Sequence, residues 1–287
     1  MIVPVIDLTA ETAAHDVRRA SRDRGLFYVV NRGVAASLIA AQFDLARSFF
    51  ALDRAEKCEI DVRNADCFRG YEPFGSQTID AAAPGDRKEG FIMGPDLPPD
   101  HPHVLARYPN TGANRWPRRP AGFRQRMETY VAAMNGLGRR VAAVLARSLD
   151  LPSDFLLQDD VGGLEVRDGD GTWCDVAPVP GAFLIVLGEL MVRLTGGRYR
   201  SATHRVTANT SGRSCYSIAT FFDPGYDERI ACAPTCVPPL GAPRDPGCTV
   251  AEHMREMARR HGVRANPITG TRRSPGVHPT TQEVNER

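Results

Sequence analysis

The chain has 287 residues, with 36 Lys and Arg against 34 Asp and Glu and a formal charge of +2, so it lacks the basic excess that steers a protein to nucleic acid or anionic lipid. Hydrophobic residues make up 42% and charged residues 24%, the balance of a folded chain with ample core rather than a disordered one. The longest apolar run, residues 182–187, is far shorter than a bilayer span.

In chain order, residues 3–8 read as a short apolar strand, and Thr9 to Glu11 supply capping chemistry for a helix that Gly25 ends. Residues 26–30 are aromatic and β-branched, hence a strand, and Asn31-Arg-Gly33 turns the chain into a second helix over 36–52. Leu38, Ile39, Phe43, Leu45, Ala46, Phe49 and Phe50 recur on it at helical spacing. A loop-rich middle follows, holding Phe68-Arg-Gly-Tyr71, Lys88-Glu-Gly-Phe-Ile92 and a Pro- and Gly-rich stretch over 107–117. Residues 120–150 predict one long helix, weakened locally by Gly136 and Gly138. After Pro152 the period becomes alternating, with strands expected over 163–166, 173–176, 182–187, 203–207, 216–222 and 230–233, an all-β unit. From residue 270 the tail is polar and is expected to be disordered. The fold class is therefore α+β, a helical N-terminal half with a long helix and then a β half.

That order of elements resembles the isopenicillin N synthase-like branch of the non-haem iron(II), 2-oxoglutarate-dependent oxygenases. The resemblance is carried by Pro4-Val-Ile-Asp-Leu8, Gly25-Leu-Phe-Tyr-Val-Val-Asn31, Arg69-Gly-Tyr71, Lys88-Glu-Gly-Phe91, Leu157-Gln-Asp-Asp-Val-Gly-Gly-Leu-Glu-Val166, Val179-Pro-Gly-Ala-Phe183, Gly197-Arg-Tyr-Arg-Ser201 and His204-Arg-Val206. It implies a double-stranded β-helix, or jelly roll, Fe(II) and 2-oxoglutarate as cofactors, and a small-molecule substrate. It also divides the chain into an N-terminal region over 1–118, a connecting helix over 119–155, the roll over 156–262 and a tail over 263–287.

The family holds its iron with two His and one carboxylate on a single face. The first two form a His-x-Asp pair just before the segment resembling Leu157-Gln-Asp-Asp160. Here residues 151–155 run straight into that segment, and none of the seven His is followed two positions later by Asp or Glu. The resemblance thus implies a truncated roll, short of two or three strands, about 30–40 residues at usual lengths. It leaves His204 as the one metal-ligand position. The family's Arg-x-Ser anchor for 2-oxoglutarate aligns with Cys215-Tyr-Ser217, so Ser217 alone remains on the cofactor side, and a neutral thiol replaces the guanidinium that would pair with a carboxylate.

Other candidates have plainer readings. Asp159 and Asp160 fit a solvated turn better than replacement ligands, and Glu189 fits turn support. Cys232, Cys236, Cys248 and His253 offer soft ligands at loose spacings for zinc. Phe68, Tyr71 and Phe91 fit either a pocket mouth or the core. The seven cysteines, odd in number and without a Cys-x-x-Cys pair, read as free thiols. The opening residues lack a basic n-region, so the cytoplasm is the expected compartment. Expected partners are a small molecule and, through open sheet edges, other copies of the chain, with neither nucleic acid nor membrane. Three functions stay open: an oxygenase, a non-catalytic binding or scaffold descendant, and an incomplete chain of an active oxygenase.

Overall fold

A strand, a helix and a second strand open the computed structural model: β1 (Val5–Asp7), α1 (Ala13–Asp23) and β2 (Leu26–Val30). The model describes residues 2–76, 88–153, 165–167, 173–174, 176–205, 214–237 and 245–260. β1 and β2 are parallel, with Val5 opposite Tyr28 and Asp7 opposite Val30, a pairing that needs the crossover α1 provides. Gly25 ends α1 at φ +73° and its N–H donates to the Ala20 carbonyl at 3.1 Å, the left-handed closure that glycine adopts without strain. Leu26, Phe27 and Val29 are fully buried, as a strand covered on both faces requires.

α2 (Ala36–Phe50) buries Gln42, Leu45 and Phe49, and the short α3 (Arg54–Cys58) follows. In the loop-rich middle, β3 (Gly70–Glu72) and β4 (Gly90–Ile92) pair antiparallel with Tyr71 opposite Phe91. Two of the sequence motifs are thus one ladder. The Tyr71 hydroxyl donates to Glu89 Oε2 at 2.6 Å, and the buried Lys57 ammonium donates to the same oxygen and to the Phe50 carbonyl, both at 2.8 Å. Phe91 and Tyr71 join Phe49, Phe123 and Trp116 in an aromatic cluster, which makes Tyr71, only 2% exposed, a core residue, whereas Phe68 is exposed.

After α4 (Pro102–Leu105), α5 (Phe123–Ser148) runs unbroken for 26 residues through both of its glycines. Gly138 has a packing reason: a Cβ there would stand 1.9 Å from the Phe222 ring. The glycine lowers helix propensity and lets that ring lie against the helix axis.

The second half contains β5 (Glu165–Arg167), β6 (Trp173–Cys174), β7 (Phe183–Val186), α6 (Glu189–Leu194), β8 (His204–Arg205), β9 (Arg229–Ile230), β10 (Cys248–Thr249) and α7 (Val250–Arg260). It is not all-β. Glu189 begins α6 rather than supporting a turn, and α7 is amphipathic, with Ala251 and His253 buried and Glu252 and Arg259 exposed; its helical period was masked by the turn-dense sequence before it. The expected strand over 216–222 also differs. Residues 214–221 carry no ladder among the described residues, because alternation fixes which way side chains point but a strand needs a paired neighbour. The expected tail lies outside the described residues, as do Asp159 and Asp160.

The halves share one sheet and one core. β7 is antiparallel to β2, with Leu26 opposite Val186 and Val29 opposite Phe183, giving the order β1-β2-β7. A second sheet runs β6-β5-β8, and β9 pairs with β10. Val17, Phe27, Val29, Met134, Val141 and Leu145 pack in the same cluster as Leu187, Tyr199, Ile230 and Val250. No described helix is long and apolar enough to cross a membrane.

Candidate functional site

The segment leading to His204 is fixed before the histidine is reached. Tyr199 is 1% exposed, and its hydroxyl meets Ser148 Oγ at 2.7 Å at the end of α5. The Tyr199 N–H donates to the buried Thr195 hydroxyl at 3.0 Å. The Arg200 N–H donates to the Ser21 carbonyl at 3.0 Å, while the Arg200 carbonyl lies where a Cβ on Gly25 would stand, 2.1 Å away. This is why Gly197-Arg-Tyr-Arg-Ser201 and Gly25 belong together: a glycine at the end of α1 lets the backbone before β8 rest on it. Ala202 is then buried against Leu26.

His204 itself is exposed on β8, opposite Val166 of β5, and its Nδ1 lies 2.7 Å from the Ala202 carbonyl. Because a carbonyl oxygen only accepts, Nδ1 is the donor in that contact and Nε2 is the nitrogen left for another partner. Ser217 is exposed in the extended stretch over 214–221, beside the exposed Cys215. Tyr216, between them, points inward, its ring 6.3 Å from that of Phe50. No hydrogen bond among the described residues joins His204 to Ser217. Arg213 lies outside the described residues.

Among the described residues no group of three or more His, Cys, Asp or Glu is placed to hold an ion. The cysteine-rich alternative is occupied otherwise, since the Arg193 guanidinium donates to Cys248 Sγ at 2.9 Å and pairs with Asp245 at 3.1 Å and Glu256 at 2.9 Å. All seven cysteines are free thiols. Sequence reasoning missed the Lys57, Tyr71 and Glu89 network, whose signal is a Tyr and a Glu in two motifs that turn out to pair across a ladder. Burial and the neighbouring Glu89 carboxylate hold the Tyr71 phenol well above its usual range.

Two family models match the chain: the N-terminal region described as that of a non-haem dioxygenase in morphine synthesis, over residues 3–119, and the 2OG-Fe(II) oxygenase superfamily, over residues 154–224. A 2-oxoglutarate-Fe(II) type oxidoreductase of Aspergillus fumigatus is 34% identical over an alignment of 309 positions that covers 91% of this chain and 90% of that protein. Ninety-one per cent of 287 residues is about 261, so about 48 of those 309 positions have no counterpart here. A crystal structure assigned to the 2OG-Fe(II) oxygenase family, from Caulobacter crescentus, superposes with a TM-score of 0.78 at 26% identity, covering 90% of this chain and 98% of that one. A full-length Neurospora crassa protein, solved in complex with alpha-KG and thymine, shares the fold, with a TM-score of 0.73 at 17% identity over 91% of this chain and 97% of that one. The chain belongs to the non-haem Fe(II)/2-oxoglutarate-dependent oxygenase family of oxidoreductases, whose cofactors are Fe(II) and 2-oxoglutarate.

Proposed function

We propose that this member of the family keeps the roll as a small-molecule binding fold and is impaired in the iron chemistry of its relatives. One observation carries the reading: no His anywhere in the chain is followed two positions later by a carboxylate. His204 would be the remaining metal position and Ser217 the remaining contact for 2-oxoglutarate, and one imidazole cannot hold an octahedral metal on one face. Among the described residues the donors present do not fit the metal.

The truncated roll fits with this. The about 48 unmatched positions exceed the 30–40 residues expected for the missing strands, and the second family match begins at residue 154, beside the junction at Phe155. The division at residues 118, 155 and 262 follows from placing the roll after the long helix. Strand edges left by such a loss favour association between copies. A small-molecule ligand is in keeping with the thymine complex of the Neurospora protein. The second reading, an incomplete chain of an active oxygenase, is favoured by the same unmatched positions and is distinguished by the sequence of the coding region around Phe155.

The test is anaerobic addition of Fe(II) and 2-oxoglutarate, followed by visible spectroscopy and iron quantification. No charge-transfer band and no stoichiometric iron are expected. A band of normal intensity would show a ligand set other than the one argued.

A further inference from the structure

The core-facing stripe of α2 runs through Leu38, Gln42, Leu45 and Phe49 at helical spacing, and one polar residue interrupts it. Gln42 is only 5% exposed. Its Nε2 donates to Met127 Sδ on α5 at 2.8 Å, a weak acceptor, which turns Oε1 the other way. Among the described residues Oε1 accepts no hydrogen bond, yet it is still reached from solvent. Here α2 and α5 stand apart around a hollow of about 270 Å³, lined by Leu38, Ala41, Gln42, Gln125, Arg126 and Thr129.

The other polar groups around the hollow are engaged or lie in water. Arg126 reaches across and donates to the Ala41 carbonyl at 2.9 Å, and the Thr129 hydroxyl donates to the Gln125 carbonyl at 2.8 Å. Gln125, Arg126 and Thr129 are exposed and form the rim. Gln42 Oε1 is thus the acceptor that the enclosed part offers, and a buried amide carbonyl without a partner is costly. The occupant that removes this cost brings one N–H or O–H donor, together with an apolar body to cover Leu38 and Ala41. A carboxylate would set its oxygens against Oε1. An apolar cavity of about 150 Å³ takes benzene, so this hollow has room for two fused rings. We propose that the hollow between α2 and α5 binds a neutral two-ring aromatic molecule with a single ring N–H or hydroxyl, held by that donor to Gln42 Oε1. Neither His204 nor Ser217 lines it, so the site is separate from the family's metal and co-substrate positions and does not rest on the reading of the iron.

The experiment is a titration of the metal-free full chain with indole and with benzothiophene, rings of one shape that differ in the N–H, followed by amide correlation NMR. Indole is expected to shift the Gln42 side-chain amide and the backbone amides of Ala41, Arg126 and Thr129 saturably. It is expected to bind about fivefold more tightly than benzothiophene, the worth of one neutral hydrogen bond. Gln42→Met keeps the length of the side chain and removes the acceptor, and is expected to bring the two probes to equal affinity. Thr129→Trp, at the exposed rim, is expected to fill the hollow and abolish binding of both. Indole that leaves those amides unmoved at its solubility limit would overturn the proposal and leave only water on Oε1. Equal affinity of the two probes for the unmodified chain, or a preference that survives Gln42→Met, would also overturn it, because Gln42 would then not read the donor. Should Gln42→Met not fold, the unmodified chain and Thr129→Trp decide the matter: binding that survives a filled hollow places the molecule elsewhere. No metal enters this titration, so its failure is distinct from failure of the impaired-iron reading, which appears as bound iron and a visible band.

Discussion

Gly25 and Gly181 offer a paired perturbation that isolates close backbone approach from backbone strain. Both have φ +73°, yet a Cβ on Gly25 would stand 2.1 Å from the Arg200 carbonyl oxygen and 2.7 Å from its carbon, whereas a Cβ on Gly181 meets nothing within 4 Å. Each Gly→Ala change forces a residue with a side chain into the left-handed region, at about 1–2 kcal/mol. Gly25→Ala adds an overpacking cost of about 1–3 kcal/mol. The obstacle is backbone, and it cannot retreat freely, because the Arg200 N–H is bonded to Ser21 and the preceding Tyr199 is buried. Gly181→Ala is thus expected to lose about 1–2 kcal/mol and Gly25→Ala about 2–5 kcal/mol. Urea unfolding of the two variants beside the unmodified chain measures the difference, provided the slopes agree. Equal losses would refute the claim that Gly25 is required by the segment leading to His204 and would reduce its role to ending α1.

Tyr71→Phe removes the hydroxyl that donates to Glu89 and is expected to cost about 1.5–3 kcal/mol at neutral pH, read by denaturant unfolding. Because the fold raises the Tyr71 pKa, its contribution is complete below the unfolded value of about 10 and is lost as pH rises through the folded value. The unmodified chain should therefore lose stability above about pH 10 more steeply than the Phe variant in a thermal series. His204→Ala is expected to leave iron content after Fe(II) loading unchanged, since one exposed imidazole binds metal weakly; a large drop would reveal partners for it. Insertion of a His-x-Asp segment between Phe155 and Leu156, combined with Cys215→Arg, is expected to restore succinate formation from 2-oxoglutarate, while either change alone fails. Additive single effects would break the argument that the two act as one unit.

Local chemistry made much of the N-terminal half legible. Gly25 marks the end of α1 because little besides glycine closes a helix at positive φ, and the residue 26–30 strand appears at its predicted bounds because five consecutive aromatic and branched residues leave no other choice. The apolar stripe placed α5 to within three residues at either end. Long-range partners were another matter. Nothing local in residues 26–30 names residues 183–186 as their neighbour, and nothing in Arg69-Gly-Tyr71 states that Tyr71 will bond a Glu about twenty residues on. The residue 216–222 stretch shows the converse failure: its period-two pattern is present in the alternation of inward and outward side chains, but a pattern cannot supply the strand to pair with. For the candidate site, the reading rests on residue identities, because the absence of a His-x-Asp pair is visible in the sequence itself. The outward turn of Cys215 and Ser217 needed coordinates.

The antiparallel pairing of β2 with β7 has a consequence for how the chain is made. Leu26 and Val186 are partners at opposite ends of a 160-residue separation, and at about 5–20 residues per second a ribosome takes about 8–32 s to cover it. Throughout that interval β2 can pair with β1 on one side only. Its other edge, flanked by the eventually buried Leu26, Phe27 and Val29, faces the solvent as an apolar strand with free backbone donors and acceptors, the form most easily captured by a wrong neighbour. The nascent chain is therefore most vulnerable to aggregation, and most dependent on chaperone occupancy, before residue 186 emerges, and a pause in translation before that point would prolong the exposure directly.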